Sequence, residues 1–137
     1  MNIMSSSVDE TRQCGAGIAR SSGPGDVFAL CGDLGCGKSE FVRGFVAALA
    51  PRMIVRSPSF TLVNIYETPL FPIYHFDFYR LNNPTELLEI GFHEYVRGSG
   101  VCLVEWADMF PAELPEATRF IRFADKGVSS RSIEFED

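Results

Sequence analysis

Asp26-Val27-Phe28-Ala29-Leu30-Cys31-Gly32-Asp33-Leu34-Gly35-Cys36-Gly37-Lys38-Ser39 decides the fold. Val27 to Cys31 is a short apolar run after a turn cluster, Ser21-Ser22-Gly23-Pro24-Gly25, and suits a buried parallel strand. Gly32 to Ser39 matches G-x-x-x-x-G-K-[ST]. Glycines let the backbone curl so that successive N–H groups converge on a phosphate. Beyond the loop, Phe41, Val42, Phe45, Val46 and Leu49 recur at helical spacing, and Pro51 closes the stretch. A helix opening near Lys38 aims its positive dipole end at the same anion. Lys38 is placed to reach β- and γ-phosphate oxygens, and the Ser39 hydroxyl to meet Mg²⁺. The pattern predicts a nucleotide-binding loop between a strand and a helix, with Asp33, Leu34, Gly35, Cys36, Gly37, Lys38 and Ser39 as its contacts.

Outward from the loop, strands and helices alternate. Val8 to Arg20 reads as a weak helix interrupted by two glycines, preceded by a polar, loose start from Met1 to Ser7. Thr61 to Tyr66 and Ile73 to Phe76 read as a β-hairpin around a Pro-containing loop. Asn83-Pro84 starts a short helix through Glu89, with Gly91 just past its end. Val101-Cys102-Leu103-Val104 has the profile of a central strand, and Arg119 to Phe123 and Ser132 to Phe135 read as two more. The expected class is α/β: a P-loop-like, three-layer fold around a mixed, mainly parallel sheet, in a single domain over residues 1–137.

Composition narrows the function classes. Acidic residues outnumber basic ones 18 to 12, for a net charge of −6. Such a surface repels a phosphate backbone, so no autonomous nucleic-acid binding is expected. No apolar run approaches a membrane span and no export signal opens the chain, which predicts a cytoplasmic protein. Four cysteines, Cys14, Cys31, Cys36 and Cys102, include no C-x-x-C pair, so reduced thiols are expected rather than a zinc site.

A P-loop protein needs a carboxylate near the metal, at the end of an apolar strand. Glu105 closes Val101 to Val104, and Asp77 closes Ile73 to Phe76. Strand quality puts Glu105 ahead of Asp77 for metal ligation. His75 shares its strand face with Ile73 and Asp77, and reads as a hydrogen-bonded structural histidine ahead of a site residue. Trp106 either walls the nucleotide pocket or packs in the core. Ser57-Pro58-Ser59-Phe60-Thr61 offers hydroxyls on a stiff segment, as a γ-phosphate-sensing loop or an ordinary turn would.

Taken together, these segments resemble the TsaE (YjeE) family, small bacterial ATPases of tRNA threonylcarbamoyladenosine synthesis. Five blocks carry the resemblance: Glu10-Thr11; Gly25-Asp26-Val27 with Leu30 to Gly35; Ser57-Pro58-Ser59-Phe60-Thr61-Leu62-Val63; His75-Phe76-Asp77-Phe78-Tyr79-Arg80-Leu81; and Glu105-Trp106-Ala107-Asp108. The resemblance implies Mg-ATP binding, weak ATPase activity, and partnership with the TsaB and TsaD proteins. It implies that Lys38 holds phosphates and that Ser39 and Glu105 hold Mg²⁺. It makes Asp77 a catalytic or supporting acid beside Lys38 and Glu105, Thr61 a switch-segment hydroxyl, and Thr11 a neighbour of the nucleotide base. Trp106 belongs to the same set of nucleotide contacts. Ser39 and Ser59 stand where the family has threonine, and Cys36 where it has alanine. A nucleotide-dependent interaction module with incidental hydrolysis needs the same loop. A small kinase has little room here for a substrate lid, and no N-K-x-D motif supports a GTPase.

Overall fold

The computed structural model describes residues 1–32, 37–127 and 130–136. Seven strands form one sheet: β1 (Asn2–Ser5), β2 (Val27–Cys31), β3 (Val63–Tyr66), β4 (Ile73–Asp77), β5 (Val101–Glu105), β6 (Arg119–Asp125) and β7 (Arg131–Phe135). Their order across the sheet is β1-β7-β6-β2-β5-β4-β3. β6, β2, β5 and β4 are mutually parallel where they pair, and antiparallel strands flank them on both sides. The helices are α1 (Val8–Ser21), α2 (Lys38–Leu49), α3 (Pro84–Glu89) and α4 (Phe92–Val96).

Strand alternation divides the core into two layers. Phe28 and Leu30 of β2 point to the layer that holds Phe41, Val42, Phe45 and Val46 of α2. Val27, Ala29 and Cys31 point to the opposite layer, with Leu87 of α3 and Phe92 of α4. Helices therefore cover both faces, and the three-layer α/β architecture expected from the sequence is the one observed. The parallel strands are apolar throughout because both faces are buried.

The two glycines that weaken the Val8–Arg20 pattern have a packing reason, in part. A Cβ on Gly15 of α1 would lie 2.1 Å from the Phe41 carbonyl oxygen, and one on Gly44 of α2 would lie 1.9 Å from the Arg12 carbonyl oxygen. The helices cross backbone against backbone. Arg12 of α1 reaches the Glu40 carboxylate of α2 across this crossing, and Arg43, one turn along α2, shares that carboxylate. Ser7 caps α1 by accepting the Glu10 N–H, and Asn83 caps α3 by accepting that of Glu86.

Two expectations need correction. Met1 to Ser7 is not a loose start: Asn2–Ser5 pairs antiparallel with β7, and the Phe135 N–H donates to the Met1 carbonyl at 2.8 Å. The edge of β7 would otherwise leave its N–H and C=O groups unpaired, and the polar side chains that made the segment look loose sit well on an outermost strand. Thr61 is not on a strand either. It lies in the turn before β3, where the Leu62 N–H donates to the Pro58 carbonyl and Leu62 adopts a φ of 70°. The short helix α4 was not anticipated. Gly91, expected only to end α3, has a φ of 78° and also starts α4.

Gly44→Ala is expected to lower stability by about 2–3 kcal/mol, because the methyl group meets backbone that cannot rotate away. Thermal denaturation of the folded variant against wild type measures it. Burial pushes the thiols of Cys14 and Cys31 up to about 11 and that of Cys102 up to about 12. All three are then neutral at pH 8, and alkylation there is expected to be slow at each, as read by mass-spectrometric mapping of the modified sites.

Candidate nucleotide site

The site forms at the carboxyl ends of three neighbouring parallel strands. β5 lies between β2 and β4, with Leu30 opposite Glu105 and Glu105 opposite Asp77. β2 runs out into Gly32, which the Lys38 ammonium meets, so Gly32, Lys38 and both acids share one end of the sheet. Asp33, Leu34, Gly35 and Cys36, expected to contact phosphate, lie outside the described residues.

Gly37 and Lys38 join the loop to α2. Gly37 has a φ of 107°, in the left-handed region where a side chain is strained, and it stands at the N-terminal end of α2. Lys38 is only 4% exposed, unusual for a lysine. Its Nζ donates to the Gly32 carbonyl at 2.6 Å and lies 3.9 Å from the centre of the Trp106 ring. These contacts compensate a buried ammonium without neutralising it. Among the described residues no carboxylate pairs with Lys38. Trp106 is half-buried: it packs against the second core layer and also lies against the Lys38 ammonium. Its φ of 57° turns the chain at the end of β5, and its ring packs on Tyr79 with centroids 4.8 Å apart.

The acids are both buried, Asp77 at 5% and Glu105 at 6% exposure. Asp77 Oδ1 accepts the Tyr79 N–H at 2.8 Å, and Asp77 Oδ2 accepts the Ser59 hydroxyl at 3.2 Å. Glu105 Oε2 lies 2.6 Å from His75 Nε2. Its other oxygen has no hydrogen-bond partner among the described residues. Buried carboxylates need such partners, because an unpaired one costs several kcal/mol.

Other expected residues divide. Thr11 is buried beside the loop: its methyl carbon would lie 3.5 Å from a Cβ on Gly37, and its hydroxyl is 2.7 Å from that of Ser5. Edge strand β1 therefore braces a residue that borders Gly37. Ser39 is exposed in the first turn of α2. The Thr61 hydroxyl donates to Asn64 Oδ1 at 2.8 Å, on the surface. Within its segment it is Ser59, not Thr61, that touches an acid.

Three partners went unread in the sequence. His75 is a hydrogen-bonded histidine, as expected, yet its partner is Glu105. Strand parity already put His75 on one face with Asp77, but only the adjacency of β4 and β5 brings Glu105 within reach. Tyr66 lies behind His75, its hydroxyl 3.4 Å from Nδ1. The Arg131 stem would lie 3.8 Å from a Cβ on Gly37, a proximity no sequence signal announces.

Comparison with known proteins agrees with this arrangement. A family model described as Threonylcarbamoyl adenosine biosynthesis protein TsaE matches residues 5–133. The chain is 40% identical to the tRNA threonylcarbamoyladenosine biosynthesis protein TsaE of Bacillus subtilis over 93% of its own length and 79% of the relative's. It is 38% identical to the protein of that name from Treponema pallidum, over 97% of this chain and 98% of that one. A crystal structure of Bacillus subtilis YdiB matches 98% of this chain and 83% of its own, with a TM-score of 0.83 and 36% identity. A family model that spans most of the chain, together with relatives near 40% identity over nearly all of it, shows that this chain belongs to the TsaE family.

Proposed function

We propose that the protein binds Mg-ATP and hydrolyses it weakly, in support of tRNA threonylcarbamoyladenosine biosynthesis. The family's printed role supports the pathway. The observation that carries the nucleotide is Lys38: a buried ammonium at the mouth of a glycine loop, held by a carbonyl and an aromatic ring. No carboxylate among the described residues pairs with this cation, which suits it to take an anion. Phosphate at a helix N-terminus also meets the α2 dipole and the backbone N–H groups of the loop.

The residues present fit the metal as well. Mg²⁺ is usually bound through one or two protein oxygens, phosphate oxygens and waters. Ser39 lies in the first turn of α2, and one Glu105 oxygen has no hydrogen-bond partner among the described residues, so these two are the protein ligands in this reading. When bound, Mg²⁺ neutralises charge that develops on the phosphates. Lys38 draws the phosphates to the loop. Trp106 covers Lys38 on one side and shields the ammonium from water. Asp77, held by Tyr79 and Ser59, orients the attacking water or the residues that do so. Thr11, bordering Gly37, contributes to the nucleotide's own surroundings. Partners of the proposed activity are the TsaB and TsaD proteins, and its setting is the cytoplasm.

Lys38→Ala is expected to weaken ATP binding by at least about tenfold, through loss of a charge-assisted contact. Titration calorimetry with both proteins folded measures it, and equal affinities overturn the binding mode. Glu105→Ala and Asp77→Ala are expected to cut hydrolysis by at least about tenfold while changing ATP affinity less, since metal and water positioning count most in the transition state. Phosphate-release assays with and without the partner proteins decide this. Wild-type rates in both variants reject the assignment of the acids.

A further inference from the structure

Glu105 is held from behind by a chain of hydrogen bonds that ends on another segment. Nε2 of buried His75 contacts the carboxylate at 2.6 Å. On the far side of the ring, Nδ1 faces the Tyr66 hydroxyl at 3.4 Å. That hydroxyl accepts the Arg56 N–H at 3.2 Å and lies 3.0 Å from the Arg56 carbonyl, to which it can donate. A continuous path thus runs from the Arg56 backbone through Tyr66 and His75 to Glu105. Arg56 opens the segment that carries Ser57, Ser59 and Thr61. Ser59 of that segment donates to Asp77. One segment is therefore tied to both acids, to one directly and to the other through two buried side chains.

Proton placement gives the path two arrangements. With Glu105 ionised, His75 Nε2 carries the proton that the carboxylate accepts. In the imidazole tautomer that has its proton on Nε2, Nδ1 is an acceptor. Tyr66 has one hydroxyl proton, and it serves either the Arg56 carbonyl or His75 Nδ1. Withdrawal of Arg56 frees that proton for His75 and changes how firmly the imidazole is held against Glu105. Simple packing accounts for none of this, because a phenylalanine would fill the space at position 66.

We propose that Tyr66 and His75 are positioning residues that couple the segment 56–61 to the Glu105 carboxylate, so that displacement of the segment changes the rate of ATP hydrolysis. The inference rests on the reading of Glu105 as the metal-side acid. It gives the segment a physical route to the reaction besides any direct contact with phosphate.

Two measurements test it. The first needs no nucleotide: amide hydrogen exchange at Arg56, with β2 amides as the reference for global opening. Glu105→Ala is expected to speed exchange at Arg56 by at least about threefold relative to wild type, although the substitution lies at the other end of the path. Unchanged Arg56 exchange overturns the coupling. The second is kinetic. Tyr66→Phe is expected to lower kcat about five- to tenfold with the KM for ATP held within about twofold. His75→Gln, which keeps a donor for Glu105 but cannot reach Tyr66 in the same way, is expected to match it, while His75→Leu falls further. Adding Tyr66→Phe to His75→Leu is expected to cost nothing more, since the path is already cut. A wild-type kcat for Tyr66→Phe, or full additivity in the double variant, overturns the proposal. If Glu105→Ala itself hydrolyses ATP at the wild-type rate, the function assigned to Glu105 fails, and the exchange measurement still decides whether the coupling exists.

Discussion

Parallel pairing of β5 with β2 on one side and β4 on the other places Leu30, Glu105 and Asp77 in one row across the sheet. A shift of one residue in either pairing would turn an acid to the opposite face, because side chains alternate along a strand. Gly32 and Lys38 follow from the end of β2, so the same register decides which end of the sheet they share with the acids. The strands are held by apolar burial on both faces, with Phe28, Leu30, Ile73, Val101 and Leu103 fully covered against α2. The α1–α2 crossing at Gly15 and Gly44 lets two helices share that face within backbone contact.

Polar groups interrupt this apolar face from the middle of β4 to the carboxyl ends of β4 and β5. His75, Asp77 and Glu105 occupy the positions that continue the alternation of Ile73 and of Val101 and Leu103. Burying them costs free energy that each recovers through specific partners: Tyr66 and Glu105 for His75, Tyr79 and Ser59 for Asp77. Partners confer geometry as well as stability. The carboxylates are aimed by His75 of β4, by the Tyr79 N–H just past β4 and by Ser59, and Tyr66 of β3 backs His75. The antiparallel β3–β4 hairpin thus serves the site, though it contributes no residue of the phosphate loop.

Edge strands do comparable work on the other side. β1 closes the rim of the sheet beyond β7 and places Ser5 against Thr11, whose methyl group borders Gly37. The conformation that lets Gly37 start α2 leaves its α-carbon open to close neighbours. Thr11 and the Arg131 stem fill that position from the two ends of the chain.

Local chemistry made much of this legible. The run from Asp26 to Ser39 carries strand, loop and helix in residue types whose backbone preferences are set within a few positions. Positions at the ends of apolar strands picked out Glu105 and Asp77, and the family resemblance of the blocks around Ser57, His75 and Glu105 added roles for them and for the nearby segment. What the sequence could not supply was distance between strands. Parity puts His75 and Asp77 on one face of β4, yet the contact of His75 with Glu105 depends on β5 lying next to β4. Tyr66 looked like the last residue of a strand until β3 folded back and set its hydroxyl between Arg56 and His75. Met1 to Ser7 lacked any local signal for a strand, because its pairing energy comes from the open edge of β7, over a hundred residues away. Sequence alone therefore determined the class of fold and singled out a candidate phosphate loop and two candidate acids, since each reading rests on short-range backbone and side-chain preference. Tertiary structure alone decided which groups hold those acids, because hydrogen bonds between strands depend on register and order that no local pattern encodes.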